Sequence, residues 1–74
     1  MKQLDEIIDI FAERLTDLIR ENGWTIAEFS KKIGIPRTTI NGWTLKIKSP
    51  KIDNLCAVAD FFGVTTDYLL GREY

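Results

Sequence analysis

Apolar residues fall at Leu4, Ile7, Ile8, Phe11, Leu15, Leu18 and Ile19, the three-and-four spacing of a helix that buries one face. The pattern predicts a first helix over about 4–22, with Gly23 as its left-handed C-terminal cap. Thr25-Ile26-Ala27-Glu28 then has the form of a capping box. In it the Thr25 hydroxyl accepts from the Glu28 amide, and the Glu28 carboxylate accepts from the Thr25 amide. Trp24 and Phe29 flank the box as a hydrophobic staple. A second helix is expected over 25–33, closed by Ile33 and turned by Gly34. Pro36 suits the first turn of a third helix over 36–44, because its missing N–H would have no partner there. Ile40 and Trp43, three apart, face the core and leave Arg37, Thr38, Asn41 and Gly42 on other faces. Lys46 to Pro50 reads as a loop. A fourth helix over 53–62 buries Leu55, Val58, Ala59 and Phe62 and ends at Gly63. Thr65 caps a one-turn fifth helix over 65–70, carrying Tyr68, Leu69 and Leu70 and stopped by Gly71. Strand signals are absent. The expectation is an all-α fold, a compact five-helix bundle formed as a single domain over 1–74.

Composition narrows the class. A hydrophobic content of 45% with 28% charged residues suits a globular domain and not a disordered tail. No apolar run approaches the ~20 residues of a membrane span, and Asp5, Glu6 and Asp9 near the start do not make a signal peptide. The single cysteine, Cys56, excludes an intrachain disulfide and points to a reducing, cytoplasmic setting. Between Leu55 and Val58, it is expected to be a small core residue. The inventory for catalysis is thin: no histidine, two serines without a base nearby in sequence, and no phosphate loop or metal-ligand spacing. The chain reads as a non-enzyme that needs no cofactor and no metal.

Charge is distributed more sharply than a net −1 suggests. Residues 31–51 hold Lys31, Lys32, Arg37, Lys46, Lys48 and Lys51 and no acid at all. Residues 1–30 hold three positives against seven negatives, and residues 52–74 one against four. A phosphate backbone would feel the local field of the middle third. Within that basic segment, Gly34-Ile35-Pro36-Arg37-Thr38-Thr39-Ile40-Asn41 is a turn opening a short helix. A basic stretch centred on two helices joined by a tight turn is a signature of DNA binding.

From about Phe11 to Gly71 the chain resembles the Cro/repressor-type helix-turn-helix family of small phage and bacterial regulators, with its lambda-repressor-like domain. The resemblance is carried by Trp24 to Phe29, by Lys31-Lys32-Ile33-Gly34-Ile35, by Ile40 and Trp43, by Ser49-Pro50, and by Gly63 to Gly71. It implies that the third helix lies in the major groove of duplex DNA. Arg37, Thr38 and Gly42 would stand at base-facing positions, with Thr39 and Asn41 beside them. Arg37 has the planar fork that suits guanine O6 and N7. Thr25 and Ala27 at the amide end of helix two, with Lys46 and Lys48, would lie near phosphates. Three residues depart from the family pattern. Ile26 stands where a bracing Gln is frequent, Thr44 where an acid is usual, and Lys46 where the following loop usually has glycine. That last turn must therefore differ or carry strain.

One feature lies outside this picture. Asp5, Asp9, Glu13, Asp17 and Glu21 are spaced four apart, an acidic stripe along the first helix that costs ~0.2–0.5 kcal/mol for each like-charge pair. It is either a solvated face that turns the basic side toward DNA or a docking surface for a basic protein. The second alternative makes the chain a modulator or antirepressor that binds a partner repressor protein. Tyr68, Leu69, Leu70 and Tyr74 are the candidate contacts of a weak homodimer.

Overall fold

The computed structural model describes the backbone of residues 4–72 and the side chains of residues 6–72. Five helices follow one another: α1 (Leu4–Glu21), α2 (Ile26–Ile33), α3 (Arg37–Thr44), α4 (Ile52–Phe62) and α5 (Thr66–Leu70). The helix starts are set by caps. Thr25 and Thr65 sit outside their helices as N-caps, each accepting from the amide three residues on. Pro36 is the N-cap of α3 and not its first helical residue, and its carbonyl accepts from the Thr39 and Ile40 amides. Helix α4 begins at Ile52, one residue before the sequence reading.

The core is assembled from one face of each helix. Phe11, Leu15 and Ile19 of α1, Phe29 of α2, Ile40 and Trp43 of α3, Val58 and Ala59 of α4, and Leu69 of α5 are buried together with Ile35 of the turn. Helix α1 packs on α5 and α3, α2 packs on α3 and α4, and α4 packs on α5. Trp43 meets Phe11 edge to face at 5.9 Å, which fixes α3 against α1. Trp24 stacks over Phe29, the ring on the other side of the α2 cap, at 6.4 Å and 11° between planes. Phe61 and Phe62 of α4 complete that aromatic cluster and bind α4 to the start of α2.

Two expectations about the core are corrected. Cys56 is exposed. The buried side of α4 is Leu55, Val58, Ala59 and Phe62, and a residue one position after Leu55 is rotated about 100° off that face. Leu69, expected at a dimer contact, is fully buried. A single helical turn offers no periodicity from which its direction could be read. Leu70 is half-buried against the core and Tyr68 is exposed. Tyr74 lies outside the described residues.

Candidate nucleic-acid interface

The turn between α2 and α3 is built by local chemistry. Gly34 takes φ +79, a left-handed conformation that a side chain resists, and its N–H closes α2 on the Ser30 carbonyl. Ser30 Oγ donates to the Ile35 carbonyl at 2.6 Å, a strap across the turn. Ile35 is buried, so the chain enters α3 from a fixed point.

Helix α3 then has two unlike sides. Ile40 is fully buried and Trp43 nearly so, and at about 100° per residue the positions opposite them are Thr38, Asn41 and Gly42. Arg37 and Thr38 are exposed, while Thr39, Asn41 and Gly42 are half-buried. Arg37 shares a shallow groove with Ala27, Ser30 and Lys31 of α2. On the other flank Thr39 and the edge of Trp43 share one with Lys48, Ser49, Lys51 and Asn54. Lys31 and Lys51 were not among the candidate contacts, although both belong to the basic segment. Lys31 stands one turn after Ala27 on α2, a spacing that could have drawn attention to it.

The α2 N-terminus is a complete capping box: Glu28 N donates to Thr25 Oγ1 at 3.1 Å, and Thr25 N donates to Glu28 Oε1 at 2.9 Å. The Thr25 amide, the Thr25 hydroxyl, and the positive charges of Lys32 and Lys31 hold the Glu28 carboxyl below the ordinary carboxylate range. The amides of Ile26 and Ala27 are the first-turn donors that helix geometry leaves over for an outside acceptor. Ile26 itself is half-buried against the core, so its contribution to bracing the motif is apolar.

Lys46 stands apart from the other cations. It takes φ +64, the non-glycine residue with positive φ among those described. Its Nζ lies 3.8 Å from Asp9 Oδ1 and 3.9 Å from Glu13 Oε2. The acidic row of α1 and the basic segment therefore meet at this residue. Asp17 and Glu21 are exposed farther along the same helix, and the Asp5 side chain lies outside the described residues. Lys32 rests over the Trp24 ring at 5.0 Å. Tyr68 of α5 is covered by the Arg14 guanidinium at 4.4 Å, and Arg14 also donates to the Tyr68 carbonyl.

Among the described residues no group of His, Cys, Asp and Glu is placed to hold a metal ion, and no helix is long and apolar enough to cross a membrane. Two helices joined by a glycine turn, the second anchored by an aliphatic and an aromatic residue, define a helix-turn-helix domain. The family model described as Helix-turn-helix matches residues 15–69, and the chain belongs to that family, in its Cro/repressor-type form. It is 34% identical over 61 residues to the HTH-type transcriptional regulator AnsR of Bacillus subtilis (strain 168), covering 82% of this chain and 53% of that protein. It is 31% identical over 62 residues to the uncharacterized HTH-type transcriptional regulator YobD of the same organism, covering 84% of this chain and 55% of that protein. The chain thus spans about half the length of these curated relatives. Among solved structures it is similar to the SOS-response transcriptional repressor LexA from Eubacterium rectale. That match has a TM-score of 0.78 and 32% identity, over 85% of this chain and 67% of that one.

Proposed function

We propose that this domain is a transcriptional regulator of phage or prophage type that binds duplex DNA, with α3 in the major groove, in the cytoplasm of a bacterial host. The observation that carries this reading is the division of α3. Ile40 and Trp43 hold one side in the core, while Arg37 and Thr38 stand exposed on a surface flanked by Lys31, Lys48 and Lys51. Arg37, Thr38, Thr39 and Asn41 are the base-reading candidates, and the Ala27 amide and Thr25 the phosphate candidates, while Lys48, a phosphate candidate on sequence grounds, lies beside α3 itself. Lys46 belongs with the phosphate contacts only if it leaves Asp9 and Glu13. Two copies would place two recognition helices about one DNA turn, ~34 Å, apart; of the expected contacts, Tyr68 and Leu70 are the ones on the described surface.

The acidic row favours a second reading. It already holds one lysine of its own chain, so it is a surface that accepts basic groups, and Asp17 and Glu21 are exposed beside it. A modulator that docks the DNA-binding face of a partner repressor would use that row.

In-vitro selection of the protein on random duplex DNA at physiological salt tests the first reading, with an enriched inverted repeat as the expected result. No enrichment from folded protein would overturn it. Glu21→Lys, two turns beyond Glu13 on α1, separates the two readings away from the Lys46 contacts. It weakens capture of a partner repressor under the second and leaves or improves DNA affinity under the first.

A further inference from the structure

The loop after α3 does more than connect. With Lys46 in the left-handed region the chain doubles back, and the Ile47 and Lys48 amides both donate to the Gly42 carbonyl, at 2.9 and 3.1 Å. The Lys48 stem is laid onto the helix at the same place. A Cβ added at Gly42 would stand 3.7, 3.6 and 3.5 Å from Lys48 Cβ, Cγ and Cδ. The stem therefore runs beside the place where residue 42 would have had a side chain of its own. Gly42 follows Thr38 by four positions, directly along the strip of α3 opposite Ile40 and Trp43.

We propose that Lys48 reads a base at the position that Gly42 leaves blank, and that the base is guanine, recognised through its O6 and N7 acceptors. This rests on the DNA-binding reading above. A lysine at the tip of a free loop would meet the phosphates that border the groove. This one is anchored by its own backbone at the last turn of the recognition helix, and its exposed stem runs alongside Gly42. Its ammonium offers three donors and needs acceptors, which guanine presents in the major groove. Lys48 is exposed, and among the described residues it is Lys46, not Lys48, that carboxylates hold. Gly42 has a role in the same scheme: a long side chain there would occupy the path of the stem.

The test is site selection with the unaltered protein, followed by competition binding on duplexes in which each base pair of the selected site is permuted. Lys48→Ala is expected to lose discrimination at one G·C pair by about fivefold or more while keeping preferences elsewhere. Lys48→Arg should keep the guanine preference. Gly42→Gln should change the preference at that same pair, and adding Lys48→Ala to it should change nothing further. Equal loss on every duplex with Lys48→Ala would make Lys48 a phosphate contact and overturn the assignment. If the unaltered protein enriches no sequence, the DNA reading itself falls and this inference with it.

Discussion

Lys46 offers a direct measure of how much strain the α3–α4 loop holds. Its φ of +64 places a side chain in the left-handed region, which costs about 1–2 kcal/mol for a residue with a Cβ. Glycine removes that cost but gives up about 0.5–1 kcal/mol of chain entropy relative to alanine. Its ion pairs with Asp9 and Glu13 are long and half-exposed, at 3.8 and 3.9 Å, and such pairs contribute about 0–1 kcal/mol. Both Lys46→Gly and Lys46→Ala lose the ion pairs, so the difference between them isolates the backbone. Lys46→Gly should be the more stable by about 0.5–1 kcal/mol, which in a domain of this size is about 3–6 °C in melting temperature. Thermal unfolding followed by circular dichroism reads this directly. Raising salt to about 1 M screens the ion pairs, so the gap between the unaltered protein and Lys46→Ala should close while the Gly–Ala difference persists. Lys46→Ala melting at or above Lys46→Gly would refute the strain argument.

Other residues give equally definite expectations. Trp43→Ala empties the contact between α3 and α1 and should cost about 3–5 kcal/mol, much of the total stability of a small domain; a melting temperature within a few degrees of the unaltered protein would show that Trp43 does not anchor α3. Glu28→Gln removes a carboxylate whose pKa is lowered on folding. Because a lowered folded pKa stabilises above the unfolded value and is lost as pH falls through the folded one, the deficit of Glu28→Gln should be present at neutral pH and vanish in the acid range. A deficit independent of pH would contradict the capping-box ionisation. Arg37→Ala should relax preference at one base pair by about fivefold or more, and equal loss on all sequences would remove Arg37 from base reading.

What was legible in the sequence was local chemistry. The Thr25–Glu28 box, the left-handed Gly34 and the inward pair Ile40 and Trp43 depend on residues within four positions of one another, and a single strand of sequence contains the whole interaction. An altered or strained turn at Lys46 was implied by the family resemblance, which has glycine there, although its partners were not. Lys46 lies more than thirty residues from Asp9 and Glu13, and only the packing of α1 on α3 brings them together. Lys48 on Gly42 is nearer in sequence but needs a chain reversal that no residue pattern announces. Cys56 was an error of another kind: the helical period that places Leu55, Val58, Ala59 and Phe62 inside also places Cys56 outside.

The deeper limit of the sequence is that charge counting treats six cations as equivalent, whereas the fold sorts them. Lys46 is turned onto carboxylates, Lys32 lies over an indole, Lys48 is laid along the recognition helix, and Arg37 shares a groove with Lys31. Each phosphate contact contributes about 0.9 to the logarithmic salt slope of DNA binding. A domain whose Lys46 is held internally should therefore fall short of the ~5 that six contacts would give. Asp9→Asn with Glu13→Gln releases Lys46 without adding a cation. The slope should then steepen by about 0.9 if the freed ammonium reaches a phosphate. An unchanged slope, measured by titrating affinity across salt concentrations, would show that Lys46 serves the loop alone and that the acidic row does not compete with DNA for it.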